Sequence, residues 1–522
     1  MKKYLLPASI LLGVIFNFLF WEKIPGISFP LFVSLCLLGG FGLISASGGK
    51  PAKINILLIG VILAFACMTF IRREPFTSFL NYALTLSAMA LLAGTFLSGE
   101  WIRFNLVDYV SRFFHLFGGM IALPWMQNED LGKNENSGVK KKRIAPILRG
   151  IALSLPIWLV FLGLLYSADL IFAERVDLIL TNFDLENLVE LTARLILTLL
   201  VAYFFSGAVL FAAKRSGSLP AKSEEKAVIP SFLGLTETGI ILGGVILLLN
   251  SFVIIQFQYF FSGQANITFD GFTYAEYARR GFGELVGVAI LSILLLKGLS
   301  LVTKKDELQR HRFFSALSAG LVALVLVILV SAFQRLFLYE SAYGFTRLRT
   351  YAHVLMIWLG VFMLAFLAME IVKRQTLFIN VSLAVIAGFS LTLSLLQVDR
   401  FIVDRNVTRS IEGEPFDAGY LSSLSSDAVP AMVAHFDNSD TPAELREGIG
   451  AALVCFQQAP FNQSLGDRPW QSFHFSDKAA VKALENVQAE LDAYRVNDET
   501  WPITATGPIG IQYACEGFAE FD

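Results

Sequence analysis

Eleven long apolar runs decide most of what this chain can fold into. They lie at roughly 4–20, 29–46, 54–71, 78–98, 147–172, 187–213, 232–261, 274–302, 313–337, 346–370 and 377–397. A hydrocarbon core about 30 Å thick takes about 20 helical residues to cross. In lipid, backbone amides must pair within a helix or around a closed barrel, and these runs are about twice the length of a barrel strand of about 10 residues. The expected fold class is therefore all-α. It is a polytopic α-helical membrane protein with about eleven transmembrane helices and a small, mostly helical C-terminal extramembrane domain. Composition agrees, since 55% of the 522 residues are hydrophobic and 16% are charged, against about 25% charged in a soluble domain. Disorder and a disulfide-rich scaffold are both excluded, the latter by a total of 4 Cys.

Two segments need separate treatment. Lys2, Lys3 and the run Leu5–Phe20 resemble a signal peptide. The sequence Trp21-Glu22-Lys23-Ile24-Pro25 that follows has no small-x-small cleavage pattern, so the first run reads as an uncleaved span. Between 100 and 125, Trp101, Phe104, Val107, Val110, Phe113, Phe114 and Phe117 recur at helical spacing. Arg103, Asp108, Arg112 and His115 interrupt them. That amphipathic pattern suits a helix lying in the interface, with a poor twelfth span as the alternative. The expected organisation is a four-span segment over 1–99, an interfacial helix and basic loop over 100–146, a seven-span core over 147–397, and the extramembrane domain over 398–522.

Charge orients the chain. Residues 399–522 hold 20 acids and 8 bases, a net −12, against +10 for the first 398 residues. Lys and Arg beside spans favour the cytoplasm. The clusters are Lys140–Arg143; Lys214, Arg215, Lys222 and Lys226; Lys304, Lys305, Arg310 and Arg312; and Lys373 with Arg374. Eleven spans with the N-terminus inside place all of them, with Lys2, Lys3, Lys50 and Lys53, on the cytoplasmic face. Arg72 and Arg73 dissent, and Glu74 beside them is the expected partner. A twelfth span at 100–125 would put the N-terminal loops on the wrong side. The acidic segment then lies outside, in the oxidising compartment, where Cys455 and Cys515 are candidates for a disulfide, with two buried thiols as the alternative.

Within that segment, Thr441-Pro442-Ala443-Glu444 has capping-box spacing, and the helix it opens should stop near Gln458, before Pro460. Ser476 is placed to cap a second helix bearing Ala480, Leu484, Val487 and Leu491. Asp417–Phe436 holds one or two short helices, and the chain after Arg495 reads as loop.

Ionisable groups inside a membrane are costly and need a reason. Glu276, Arg280 and Glu284 make one stripe on the eighth span, with Arg279 within reach of Glu276. Gly283 and Gly287 form a small-xxx-small step. Arg335 and Glu340 end the ninth span, while Arg347, Arg349 and His353 open the tenth, at similar depth. These residues are either an interhelical network or an outward-open site for a polar or anionic ligand. Glu190 and Arg194 are spaced as a salt bridge. Glu237, Lys297 and Glu370 sit where they can snorkel.

No catalytic set is found. Gly49-Lys50 lacks the rest of a P-loop, the five histidines are scattered, and no nucleophile elbow occurs. No cofactor or metal site is expected. Asp169, Glu174, Asp177, Asp184 and Glu186 read as a solvated outer loop, although paired acids there could serve an enzyme acting on lipid-linked substrates. The basic loops face anionic lipid rather than nucleic acid. The leading expectation is a non-enzymatic envelope protein, sensing or scaffolding through its exported domain. A secondary transporter of a small polar or anionic solute and a membrane enzyme are the alternatives. Expected partners are the lipid bilayer and, on the outer face, an envelope protein or a small polar ligand.

Several segments carry a resemblance. They are Leu155-Pro156 through Ser167-Ala168-Asp169, Thr273–Phe282 (TYAEYARRGF), Tyr343–Tyr351 (YGFTRLRTY), Asp404–Val407, Leu421–Pro430 and Trp470–Phe473. Together they resemble a group of bacterial polytopic membrane proteins known only as a domain of unknown function. The resemblance runs from about residue 145 onward. It implies a bacterial cytoplasmic membrane and no particular chemistry.

Overall fold

A computed structural model describes residues 2–133, 161, 165–169, 172, 185–217, 231–261, 282–304, 308–498 and 501–516. The chain is all-α and polytopic. Ten helices among the described residues are long and apolar enough to cross a membrane, and the 17-residue helix Asn55–Ile71 is a shorter apolar one. The run at 147–172 falls largely outside the described residues.

By its contacts the chain divides into two compact units, residues 1–60, 88–99 and 110–220, and residues 61–87, 100–109 and 221–522. In the first unit, α1 (Lys2–Phe20) packs along α2 (Ser28–Ser45) and along α6 (Leu185–Lys214). The α1–α6 approach is close, since a Cβ at Gly13 would collide with the Thr198 carbonyl. The expected Glu190–Arg194 ion pair forms on α6. The division falls within helix α3 (Asn55–Ile71) and within helix α4 (Pro75–Thr95).

The amphipathic segment forms α5 (Leu106–Lys133), whose part Leu106–Trp125 also has the length and composition to cross a membrane. It meets α6 at a crossing: Gly119 lies against Phe211, Gly207 against Met120, and the Tyr203 hydroxyl donates to the Ile121 carbonyl.

In the second unit, α7 (Leu235–Phe261), α8 (Phe282–Val302), α9 (Leu308–Tyr343), α10 (Arg347–Ile371) and α11 (Phe378–Leu396) enclose a core that includes Leu242, Leu296, Leu321, Val325, Met363 and Phe366. Helix α9 has 36 residues. At 1.5 Å per residue it is about 54 Å long, so its ends project beyond a hydrocarbon core of about 30 Å. Among the described residues Gly283 and Gly287 give no close approach, since none lies within 4 Å of a Cβ at either. Glu370 does not snorkel. It is fully buried, accepts from Ser300 Oγ (2.8 Å) and Gln375 Nε2 (2.7 Å), and faces His311. Lys297 lies over the Phe378 ring, whereas Glu237 is exposed.

Gln397, with φ 55° and ψ 66°, ends α11 and turns the chain into α12 (Val398–Ile411). Then follow α13 (Ala418–Ser422), α14 (Val429–Asp437), α15 (Ala443–Gln458) and α16 (Phe475–Leu491). Their core is continuous with the membrane helices, because Val354 and Leu393 belong to the same cluster as Ile402, Leu421, Met432, Ile449 and Leu484. Helix α15 ends at Gln458, as its proline predicts, but no capping box forms: Thr441 Oγ1 donates to the His435 carbonyl (2.8 Å). Ser476 does not cap α16 either, since His474 holds that position.

The chain after Arg495 is not loop. It makes an antiparallel sheet of β1 (Arg495–Asn497), β2 (Thr504–Thr506) and β3 (Gln512–Ala514), with Ala505 opposite both Val496 and Tyr513. Cys515, just past β3, is disulfide-bonded to Cys455 on α15, and both pack with Ala451 and Ala505 in a small core.

Candidate functional site

One cluster of polar groups in the second unit gathers where α3, α4, α10 and α12 meet the C-terminal segment. Three carboxylates organise them. Asp399, in the first turn of α12, has no exposed surface. It accepts from Arg347 Nε (2.8 Å) and Nη2 (2.7 Å), and from Ser425 N (2.8 Å) and Oγ (2.6 Å). This two-pronged Arg–carboxylate geometry is the strong form of such a pair. The Arg347 backbone N–H donates to the Tyr420 hydroxyl (2.8 Å).

Asp427, before α14, binds the short turn between α3 and α4. Its Oδ2 accepts from the backbone N–H of Arg73 (2.7 Å) and Glu74 (3.0 Å). Its Oδ1 accepts from the Ser476 hydroxyl and lies 3.7 Å from Arg72 Nη1. Asp477, in the first turn of α16, accepts from Ser426 Oγ (2.5 Å) and Arg468 Nη1 (2.8 Å), and lies 3.7 Å from Arg73 Nε.

Arg72 and Arg73 are thus partnered by acids more than 350 residues away, and the expected pairing with Glu74 is replaced. The Glu74 carboxylate instead caps α4, accepting from Phe76 N (2.9 Å) and Thr77 N (2.7 Å), and takes the Tyr351 hydroxyl. A carboxylate at that end of a helix satisfies orphan N–H groups and the positive end of the helix dipole.

Burial raises the Asp427 carboxyl above its ordinary value, against the pull of the Ser476 hydroxyl and the Arg73 N–H. Burial and the Arg73 guanidinium lower the His474 imidazole, against the pull of Asp477. The partners of His474 fit a neutral ring. Nδ1 faces the Ser472 carbonyl (3.0 Å) and must donate, which leaves Nε2 to accept from Arg73 Nη1 (3.4 Å). The single Ser476 hydroxyl proton lies between two acceptors, Asp427 Oδ1 and the Ile71 carbonyl, and Ser425 donates to Asp399. These hydroxyls are donors that hold carboxylates, and no imidazole activates them. The arrangement holds backbone segments together.

The sequence-predicted residues fall into separate places. Glu276, Arg279 and Arg280 lie outside the described residues, and Glu284 is exposed on α8. Glu340 and His353 meet across α9 and α10 at 3.2 Å, with the His353 ring against Phe333. Arg335 is buried on α9. Arg347 belongs to the Asp399 junction. Arg349 donates to the Tyr343 (3.3 Å) and Gly344 carbonyls and lies over the Tyr339 ring.

Asn406 brackets the same turn, accepting from Phe345 N (2.7 Å) and donating to Phe345 O (2.9 Å), while Arg409 reaches the Ala342 carbonyl (3.3 Å). The YGFTR and DRNV segments are therefore one structural element. The three organising acids were missed from sequence. Their only signal was the basic pair Arg72-Arg73 on a face where basic residues are unexpected. Among the described residues no group of three His, Cys, Asp or Glu side chains is placed to hold a metal.

A family model described as Domain of unknown function (DUF4153) matches residues 59–435. No curated protein and no solved structure matches the chain.

Proposed function

Because the chain belongs to the DUF4153 family, whose description carries no activity, we propose a role from its own chemistry: a non-enzymatic protein of the bacterial cytoplasmic membrane. In this reading the acidic C-terminal segment faces outward, senses or scaffolds there, and is latched to the helix ends. The observation that carries it is the clasp of Asp427 and Asp477 on Arg72-Arg73, joined by the Asp399–Arg347 pair. A tethered domain needs no such junction. A junction of buried charges specifies one arrangement, and its partners respond together.

The same contacts support an orientation. The clasp accounts for the one basic pair that breaks the inside-positive pattern, because Arg72 and Arg73 are neutralised by the segment on their own side. The Cys455–Cys515 bridge supports an oxidising compartment for that side. The N-terminal residues and the loops at 304 and 373 then face the cytoplasm. The transporter and enzyme readings need a polar site open to a ligand, and here Arg347 turns Nε and Nη2 to Asp399, while Glu340 and His353 face each other.

Complementation of a deletion strain tests the role. Asp427→Asn is expected to fail at normal membrane abundance, while Glu340→Gln complements. If Glu340→Gln fails and Asp427→Asn complements, the transporter reading replaces this one.

A further inference from the structure

The loop before α16 and the first residues of that helix carry an aromatic surface whose position is fixed by the end of the apolar helix α3. The Phe475 ring lies 5.4 Å from the Phe70 ring and 5.2 Å from the Phe473 ring. Phe70 is in the last turn of α3, one residue before its end at Ile71. Ser476 Oγ donates to the Ile71 carbonyl at 2.7 Å, which locks α16 to that helix end. Phe475 is nevertheless 53% exposed, and Trp470 is 54% exposed.

Large aromatic side chains left half open at the level where an apolar helix ends sit at the membrane–water boundary. Trp and other amphipathic rings are enriched there. One exposed cation accompanies the rings: Lys478 lies 6.0 Å from the Phe473 ring. Positive charge beside interfacial aromatics matches the phosphates of lipid headgroups.

We propose that Trp470, Phe473 and Phe475 form a membrane-seated edge of the C-terminal segment, inserted among the phospholipids of the adjacent leaflet. The occupant is lipid because the patch is seated on the last turn of the apolar helix α3 through the Phe70–Phe475 contact. Leaflet packing or composition then bears directly on α16 and, through Asp477 and Ser476, on the Arg72–Arg73 junction. The inference rests on the membrane helices and not on which face of the membrane the segment occupies.

The test uses the full chain in phosphatidylcholine–phosphatidylglycerol nanodiscs, with Cys36 and Cys67 replaced by Ala and the disulfide kept. An NBD fluorophore is attached at Phe475→Cys, at Trp470→Cys, or at Ser439→Cys, an exposed position between Asp437 and Asp440. Lipids with a 5-doxyl chain are expected to quench position 475 several-fold more than position 439, with blue-shifted emission. Position 470 gives the same reading should the Phe475 variant not assemble. Quenching equal to that at 439 overturns the proposal. So does a blue shift that follows protein concentration instead of doxyl lipid, because the occupant would then be a second copy of the chain.

Discussion

Replacing Asp399 by alanine should destabilise the second unit by about 3–5 kcal/mol, the usual cost of removing one partner from a buried ion pair. The carboxylate is fully buried and accepts four hydrogen bonds. Its loss leaves the mostly buried Arg347 guanidinium without its counter-charge and the Ser425 N–H without its acceptor, so both desolvation costs stand uncompensated. Asp399→Asn keeps the shape and one carbonyl oxygen, and should cost less. Arg400→Ala is the control. Its ion pair with Asp404 is exposed on both sides, and such pairs are worth about 0–1 kcal/mol. Apparent melting temperature in detergent, scored by loss of folded monomer, checks the series. Equal melting of Asp399→Ala and Arg400→Ala would show that the junction bears no load.

The second large effect belongs to the Cys455–Cys515 bridge. It closes a loop with a sequence separation of 60, for which chain entropy gives about 4 kcal/mol. The bridge ties the end of the sheet to α15, and Cys515 N also donates to the Ile503 carbonyl at 2.8 Å. The double replacement Cys455→Ser/Cys515→Ser should therefore lower the melting temperature and expose the residues after Arg495 to protease first. α16 and the Asp477 junction should stay protected in the same digest. An unchanged melting temperature and digest in the double variant would contradict this.

What could be read from the sequence was whatever lipid enforces locally. A run such as 235–256 has one solution in a hydrocarbon core, and the structure has a helix there. Helix α16 was legible for a related reason, since Ala480, Leu484, Val487 and Leu491 mark one buried face by spacing alone. The sheet after Arg495 was not, because its strands have three residues each and show no usable alternation. The caps failed for a different reason. Thr441 and Ser476 have the right residue type and spacing, but each hydroxyl faces a carbonyl outside its own helix, that of His435 for Thr441 and that of Ile71 for Ser476.

The junction was the least legible part. Asp427 and Arg73 are joined through space, and neither carries a periodic or spacing signal. Arg347 was singled out as a residue needing a partner. The partner lies on the first turn beyond the last membrane helix, at Asp399, and not among the acids at the depth where the sequence placed Arg347. The exceptional Arg72-Arg73 pair was the best clue, and it pointed to a neighbour, Glu74, whose carboxylate is committed to its own helix.

The central claim is that the C-terminal segment and the Arg72–Arg73 turn share the outer face, opposite the basic loops. Labelling of intact spheroplasts with a membrane-impermeant maleimide tests it most directly, again with Cys36 and Cys67 replaced by Ala. Ser439→Cys should label at once, and Lys373→Cys only after the membrane is permeabilised. Labelling of Lys373→Cys in intact spheroplasts, with Ser439→Cys protected, would contradict the account.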